Sequence, residues 1–156
     1  MLKRLRLLNI GDNDIKIGFI TRKDNDINRI SSMYRNTNRN YINNRVKSVF
    51  KVQIGKFNIR FKSKANIIGN VQVVWHGTIK RNIVSILIRG LLLSITLTGR
   101  TNGGSYGSGI CFSNSSSKSL RFCREWANIS AMPTTTVYLV LASVAAGKYD
   151  TSGDYQ

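Results

Sequence analysis

An α+β fold is the class with which this sequence is compatible, on three observations. Two apolar stretches of strand length, Val71–Trp75 and Val137–Ala145, lie far apart in the chain. Between them Ile79, Ile83, Ile86 and Leu87 recur at helical spacing and stop at Gly90. The intervening segments are rich in Gly, Ser, Thr and Asn, as loops and caps are. A length of 156 residues suits one domain, and 42% hydrophobic residues is enough for a globular core.

Taken in order, residues 1–45 read as a basic, Asn-rich leader. Nine of the sixteen asparagines fall there, the periodicity is poor, and a weakly ordered or helical segment is expected. Residues 46–156 then hold the folded domain. Val46, Ser48, Phe50, Val52 and Ile54 share one face of a period-two stretch, and Phe57, Ile59 and Phe61 alternate with Asn58, Arg60 and Lys62. The pattern predicts a hairpin around Gly55. Val71–Trp75 predicts a buried strand that delivers His76, Gly77 and Thr78 to its end. A helix opens at Thr78 or Ile79 and ends at Gly90, a residue suited to a C-cap. Gly99, Gly103, Gly104 and Gly107 make residues 94–108 a flexible loop. Residues 109–112 form a short strand, and Ser115–Ser117 offer N-caps for a helix to about Asn128. Val137–Ala145 has the length of a buried strand, which Gly147 ends.

The net charge of +17 is uneven. Residues 1–64 carry 16 Lys/Arg and 4 Asp/Glu, a net +12, against 8 and 3 in the remainder. Such an arm attracts RNA, DNA or other polyanions without sequence preference, and removal of residues 1–44 is expected to leave the strands of the domain intact. Cys111 and Cys123 are too few for a disulfide framework or a zinc site, so two free thiols and an intracellular location, nuclear or cytoplasmic, are expected. No metal is called for. No apolar run reaches membrane-spanning length, so no membrane is expected as a partner.

The chain has one histidine, His76, between a strand and a helix start, with Gly77 allowing close approach of a ligand to the backbone. No carboxylate stands at a spacing that would make a hydrolase triad. Ser119 and Phe122 are three apart, so on a helix they share a face. A hydroxyl beside an aromatic ring can hold a flat, amide-bearing ring, although a core Phe and a solvated Ser is the commoner outcome.

Three blocks resemble the catalytic domain of poly(ADP-ribose) polymerases. They are Val73-Val-Trp-His-Gly-Thr78 with the Asn82-to-Leu91 helix, Tyr106-Gly-Ser-Gly-Ile-Cys-Phe-Ser113 with Ser117-Lys-Ser-Leu-Arg-Phe-Cys123, and Val137–Gly147. Val49–Val52 is similar to the strand preceding the histidine strand, so the resemblance covers roughly residues 46–150. It implies an ADP-ribosyltransferase-like split antiparallel sheet around a cleft for NAD⁺, the co-substrate. It also implies transfer of ADP-ribose to a protein or nucleic-acid acceptor, and adds poly(ADP-ribose) to the polyanions of the basic arm. His76 resembles the histidine that binds the ribose 2′-hydroxyl, and Gly77 the glycine whose backbone holds the nicotinamide amide. Ser119 resembles the serine on that same amide. Phe122 stands where an aromatic, usually Tyr, stacks on the ring. Lys118 lies beside the pocket, and Thr78 completes the NAD⁺-binding set. Residues 94–108 resemble the loop over the nucleotide.

The chain departs from that pattern at Cys111, which stands where the family has a tyrosine, and at Leu92, where an Arg is common. The family's catalytic glutamate lies in a later strand, beyond Gln156. Loss of such a charge-stabilising group costs on the order of 10²–10³ in rate. The resemblance therefore leaves two alternatives to a competent transferase: a non-catalytic NAD⁺- or ADP-ribose-binding remnant, and a basic RNA-binding protein sharing the fold.

Overall fold

The computed structural model describes residues 6–10, 13–20, 24–38, 44–92, 109–123 and 136–148. In chain order the elements are β1 (Arg6–Ile10), β2 (Asn13–Ile20), α1 (Asn25–Thr37), β3 (Val49–Ile54), α2 (Gly55–Ile68), β4 (Val71–Gly77), α3 (Asn82–Arg89), α4 (Ser116–Leu120) and β5 (Leu139–Ala145). A single 3₁₀ turn, Arg121–Cys123, continues α4. The strands form two small antiparallel sheets, β1-β2-β3 and β4-β5. Helices and antiparallel strands are mixed along the chain, which makes the fold α+β.

The core that supports the site joins α1, β4, α4 and β5. Tyr34, Trp75, Leu120 and Cys123 are buried together, with Ile30, Met33, Val46, Leu139 and Leu141 packed around them. Ile30, Met33 and Tyr34 stand at i, i+3 and i+4 on α1, the spacing that puts one helix face on a core. Tyr34 meets Trp75 edge to face, ring centroids 6.2 Å apart. Burial pushes the Tyr34 phenol above its ordinary pKa, against a hydrogen bond with Asn44 that lowers it and the nearby Cys123, which raises it.

Several expectations change on folding. The segment read as a weakly ordered or helical leader is helical at α1 but contributes two strands before it, and β2 pairs with β3 from Ile15↔Ile54 to Ile20↔Val49. The strand pairing and the core face of α1 depend on residues far along the chain, which a local scan does not reach. The hairpin around Gly55 is instead a strand followed by α2. Helix α2 packs near β2 and β5, and Phe57, Phe61 and Ala65, at i, i+4 and i+8, make its less exposed face, while Ile59 is 72% exposed. Phe57 and Phe61 are two strand steps apart and equally one helical turn apart, so the alternation fits both periods. Gly69 ends α2 with φ +73°, a left-handed conformation that favours glycine.

Strand β4 ends on His76 and Gly77 as expected, but it is buried only at Trp75. Val71 and Val73 are exposed, because the two-stranded sheet leaves this stretch uncovered. Strand β5 is half-buried for the same reason. Residues 109–112 form no strand, and only Ser113 bridges to Trp75. Helix α3 starts at Asn82 rather than at Thr78 or Ile79. A turn precedes it, and the Thr78 hydroxyl accepts a hydrogen bond from Asn82 Nδ2 at 3.0 Å. Gly90 ends it as expected, with φ +78°, and a Cβ there would stand 3.2 Å from the Phe57 ring. The loop at 94–108 and the helix beyond Cys123 lie outside the described residues.

Candidate functional site

The site is built where β4 runs into α4. In antiparallel pairing, alternate residues of a strand direct both backbone groups to the same edge. Trp75 exchanges two hydrogen bonds with Ser113, N–H to carbonyl at 2.7 Å and carbonyl from N–H at 2.9 Å, on the edge away from β5. Two residues on, Gly77 directs its N–H and C=O to that same edge. Val140, opposite His76, is the residue that pairs through the ladder.

Helix α4 closes this edge. It is only five residues long, but Ser116, Ser117, Ser119 and Leu120 are all buried. Ser115 caps it as the sequence predicts, its hydroxyl accepting from Lys118 N at 3.4 Å. Ser119 is 3% exposed and its hydroxyl donates to the Trp75 carbonyl at 3.2 Å. That bond uses the single hydroxyl proton, so the oxygen lone pairs remain for a donor such as an amide NH₂. Gly77 lies so close to α4 that a Cβ there would overlap the Ser119 carbonyl and stand 3.2 Å from Phe122 Cβ. Only glycine fits at this position.

His76 lies on the opposite face of β4 from Trp75, half-buried. Its Nδ1 is 2.9 Å from the Cys111 carbonyl, and a carbonyl only accepts, so Nδ1 carries the proton. In the neutral ring Nε2 is then left as the acceptor, suited to a hydroxyl donor. The His76 ring also packs on Phe112, centroids 5.7 Å apart. Cys111 therefore acts here through its backbone, orienting the imidazole, and its thiol is half-buried and outside any disulfide.

The structure thus brings Gly77, Ser119 and Phe122 together, and places His76 with Cys111 on the opposite face of β4. Phe122 is 43% exposed, so its ring is open to a stacking partner rather than sealed in the core. Lys118 is exposed on the outer side of α4. Thr78 is buried with its hydroxyl engaged by Asn82, which makes it an anchor for α3. Two features escaped the sequence reading: Ser113, whose backbone locks Trp75, and Thr37, whose contacts with α4 follow below. The spacing of Ile30, Met33, Tyr34 and Thr37 was the signal for the helix that carries Thr37. Among the described residues no group of three metal-ligating side chains gathers, and no helix is long and apolar enough to cross a membrane.

Residues 24–153 match the poly(ADP-ribose) polymerase catalytic domain. The chain belongs to this family. The poly(ADP-ribose) polymerase match begins at residue 24, so it takes in α1 as well as the blocks that carried the resemblance. The chain is 32% identical over 139 residues to protein mono-ADP-ribosyltransferase PARP4 of Mus musculus, which covers 85% of this chain and 7% of that protein. It is 36% identical over 107 residues to the Homo sapiens protein of the same name, 66% of this chain and 6% of that one. Poly [ADP-ribose] polymerase 1 of Caenorhabditis elegans is 31% identical over 122 residues, 78% of this chain and 12% of that protein. The chain therefore spans a small part of the length of each of these relatives.

Proposed function

We propose that this chain binds NAD⁺ by its nicotinamide end and serves transfer of ADP-ribose to a protein or nucleic-acid acceptor. The observation that carries the reading is the pairing of the Gly77 backbone edge with the Ser119 hydroxyl. A carboxamide needs an acceptor for its NH₂ and a donor for its oxygen. Ser119 Oγ and the Gly77 carbonyl supply the first, and the Gly77 N–H supplies the second. Phe122 offers a ring face to the nicotinamide, and His76 Nε2 accepts from a ribose hydroxyl. Thr78 contributes by holding α3 through Asn82, and Lys118 as a cation exposed on α4. Cys111 leaves the slot without the broad second wall that a tyrosine would give.

The chemistry at stake is cleavage of the nicotinamide–ribose bond, in which positive charge develops on the ribose. Carboxylates stabilise such charge. Asp24 and Asp26 lie at the N-terminal end of α1, about 17–20 Å along the helix from Thr37, which packs on α4. The described residues at this corner, His76, Gly77, Ser119 and Phe122, are suited to hold and orient NAD⁺, and no carboxylate is among them. Titration calorimetry of NAD⁺ against the wild-type chain and Ser119→Ala tests the reading. The expected loss is about 0.5–1.5 kcal/mol of binding free energy. Equal affinity in both, or no binding by either, would refute it.

A second reading concerns the cationic surface. On α2, Lys56, Arg60 and Lys64 are exposed along one flank at four-residue steps, about 6 Å apart along the axis. No acidic residue occurs from Gly55 to Ile68. This stripe supports contact with RNA, DNA or poly(ADP-ribose) phosphates by charge, independent of the nicotinamide corner.

A further inference from the structure

We infer that Thr37 is a positioning residue for the nicotinamide corner, acting through Ser116 to hold α4, and so Ser119, in place. The inference rests on the nicotinamide reading above and adds a determinant of it from a distant part of the chain. A helix of five residues does not hold itself together, because nucleation consumes most of what its few hydrogen bonds supply. Its first N–H groups lack partners inside the helix, as do the last carbonyls of α1. In this structure the two helix ends satisfy each other. Ser116 N–H donates to Thr37 Oγ1 at 3.2 Å. Ser116 Oγ donates to the Tyr34 carbonyl at 3.0 Å, and Ser115 Oγ to the Thr37 carbonyl at 3.1 Å.

Thr37 Oγ1 has one proton and two close acceptors, Met33 O at 2.8 Å and Ser116 Oγ at 2.9 Å. Either choice leaves a lone pair aimed at Ser116 N–H. Ser116 is wholly buried, so no water replaces the bond if the hydroxyl is lost. The C-terminal, negative end of α1 thereby faces the N-terminal, positive end of α4, an arrangement that the helix dipoles favour. One turn on from Ser116 stands Ser119, which bonds Trp75 and crowds Gly77. A shift of α4 moves the hydroxyl and the wall of the amide slot together, whereas His76, on β4, is left where it is.

The test compares full-length wild type, Thr37→Val and Thr37→Ser by calorimetry with NAD⁺ and with ADP-ribose, which lacks nicotinamide. Amide hydrogen exchange of Ser119 and Leu120 is measured on the same proteins. Valine keeps the branched shape and removes the hydroxyl, and serine restores it. The expected result for Thr37→Val is a loss of NAD⁺ affinity of about five- to tenfold, unchanged ADP-ribose affinity and faster exchange in α4. Thr37→Ser returns all three to wild type. Equal loss for both ligands, or wild-type behaviour of Thr37→Val in exchange, overturns the inference. If wild type binds no NAD⁺ while exchange still rises only in Thr37→Val, the positioning of α4 stands and the nicotinamide reading falls. Should Thr37→Val fail to fold, Ser116→Ala removes the Ser116 hydroxyl's bonds to Thr37 Oγ1 and to the Tyr34 carbonyl, keeps its N–H bond to Thr37, and is read by the same comparison with a smaller expected loss.

Discussion

Two helices of this protein carry their residues in opposite ways. Helix α4 has five residues, four of them buried, and its hydroxyls are committed to carbonyls of α1 and β4. Helix α2 has fourteen residues, of which only Ala65 is buried, and its outer flank presents lysine, arginine and an isoleucine, Ile67, that is 78% exposed. The first region depends on individual atoms, since a displaced hydroxyl inside it has no water to turn to. The second depends on summed charge, which is insensitive to where any one side chain points. A site that must recognise a flat amide belongs to the first kind, and a surface that meets a polyanion to the second.

The largest effect is expected from removing residues 1–44. Charge alone suggested that this arm could be cut away while NAD⁺ affinity persisted. The structure places the buried Ile15, Ile20 and Tyr34 in it, together with the whole of α1. Each large buried side chain contributes about 2–5 kcal/mol, against a total stability of about 5–15 kcal/mol for a domain. The truncated chain should show no cooperative thermal transition by circular dichroism. A truncated chain that folds and binds NAD⁺ would break the contrast, since the buried corner would then not need α1.

Gly77→Ala comes next. The added methyl overlaps the Ser119 carbonyl, so β4 and α4 must separate. A destabilisation of about 1–3 kcal/mol is expected. NAD⁺ binding should fall below detection in calorimetry while the thermal transition survives at lower temperature. Retention of full affinity would mean that the amide does not sit against this glycine.

The smallest effect on folding, and the sharpest test of the charged region, is Lys56→Gln, Arg60→Gln and Lys64→Gln together. Stability should change by no more than about 0.5 kcal/mol, as at ordinary surface sites. The slope of log affinity against log salt for a single-stranded RNA should fall by about 2, three phosphate contacts at roughly 0.7 each. Anisotropy over a salt series reads it. Salt-insensitive binding, or a marked preference for one sequence, would replace the charged stripe by a shaped site.

How much of this was legible beforehand differs element by element. Gly90 as a helix stop and Ser115 as a helix cap are local signals, and both hold. The arrival of His76 and Gly77 at the end of a strand also holds, because an apolar run followed by a glycine needs no distant partner to be recognised. The stretch Phe57–Phe61 misled, because its ends are two strand steps apart and equally one helical turn apart. Packing of α2 on β2 and β5 decides between them, with Phe57, Phe61 and Ala65 on its less exposed side.

The sequence by itself determined the family, the run Trp75-His76-Gly77-Thr78, the serines of α4 and the excess of positive charge. These are chemical identities in order along the chain, and order is what a sequence contains. Only the tertiary structure decided that the Trp75 carbonyl takes the proton of Ser119, that Gly77 has no room for a methyl, and that α1 holds α4 by its end. Thr37 and Ser116 are 79 residues apart. Their bond exists because two helix ends with unsatisfied backbone groups are buried against one core, and burial without water forces each to complete the other.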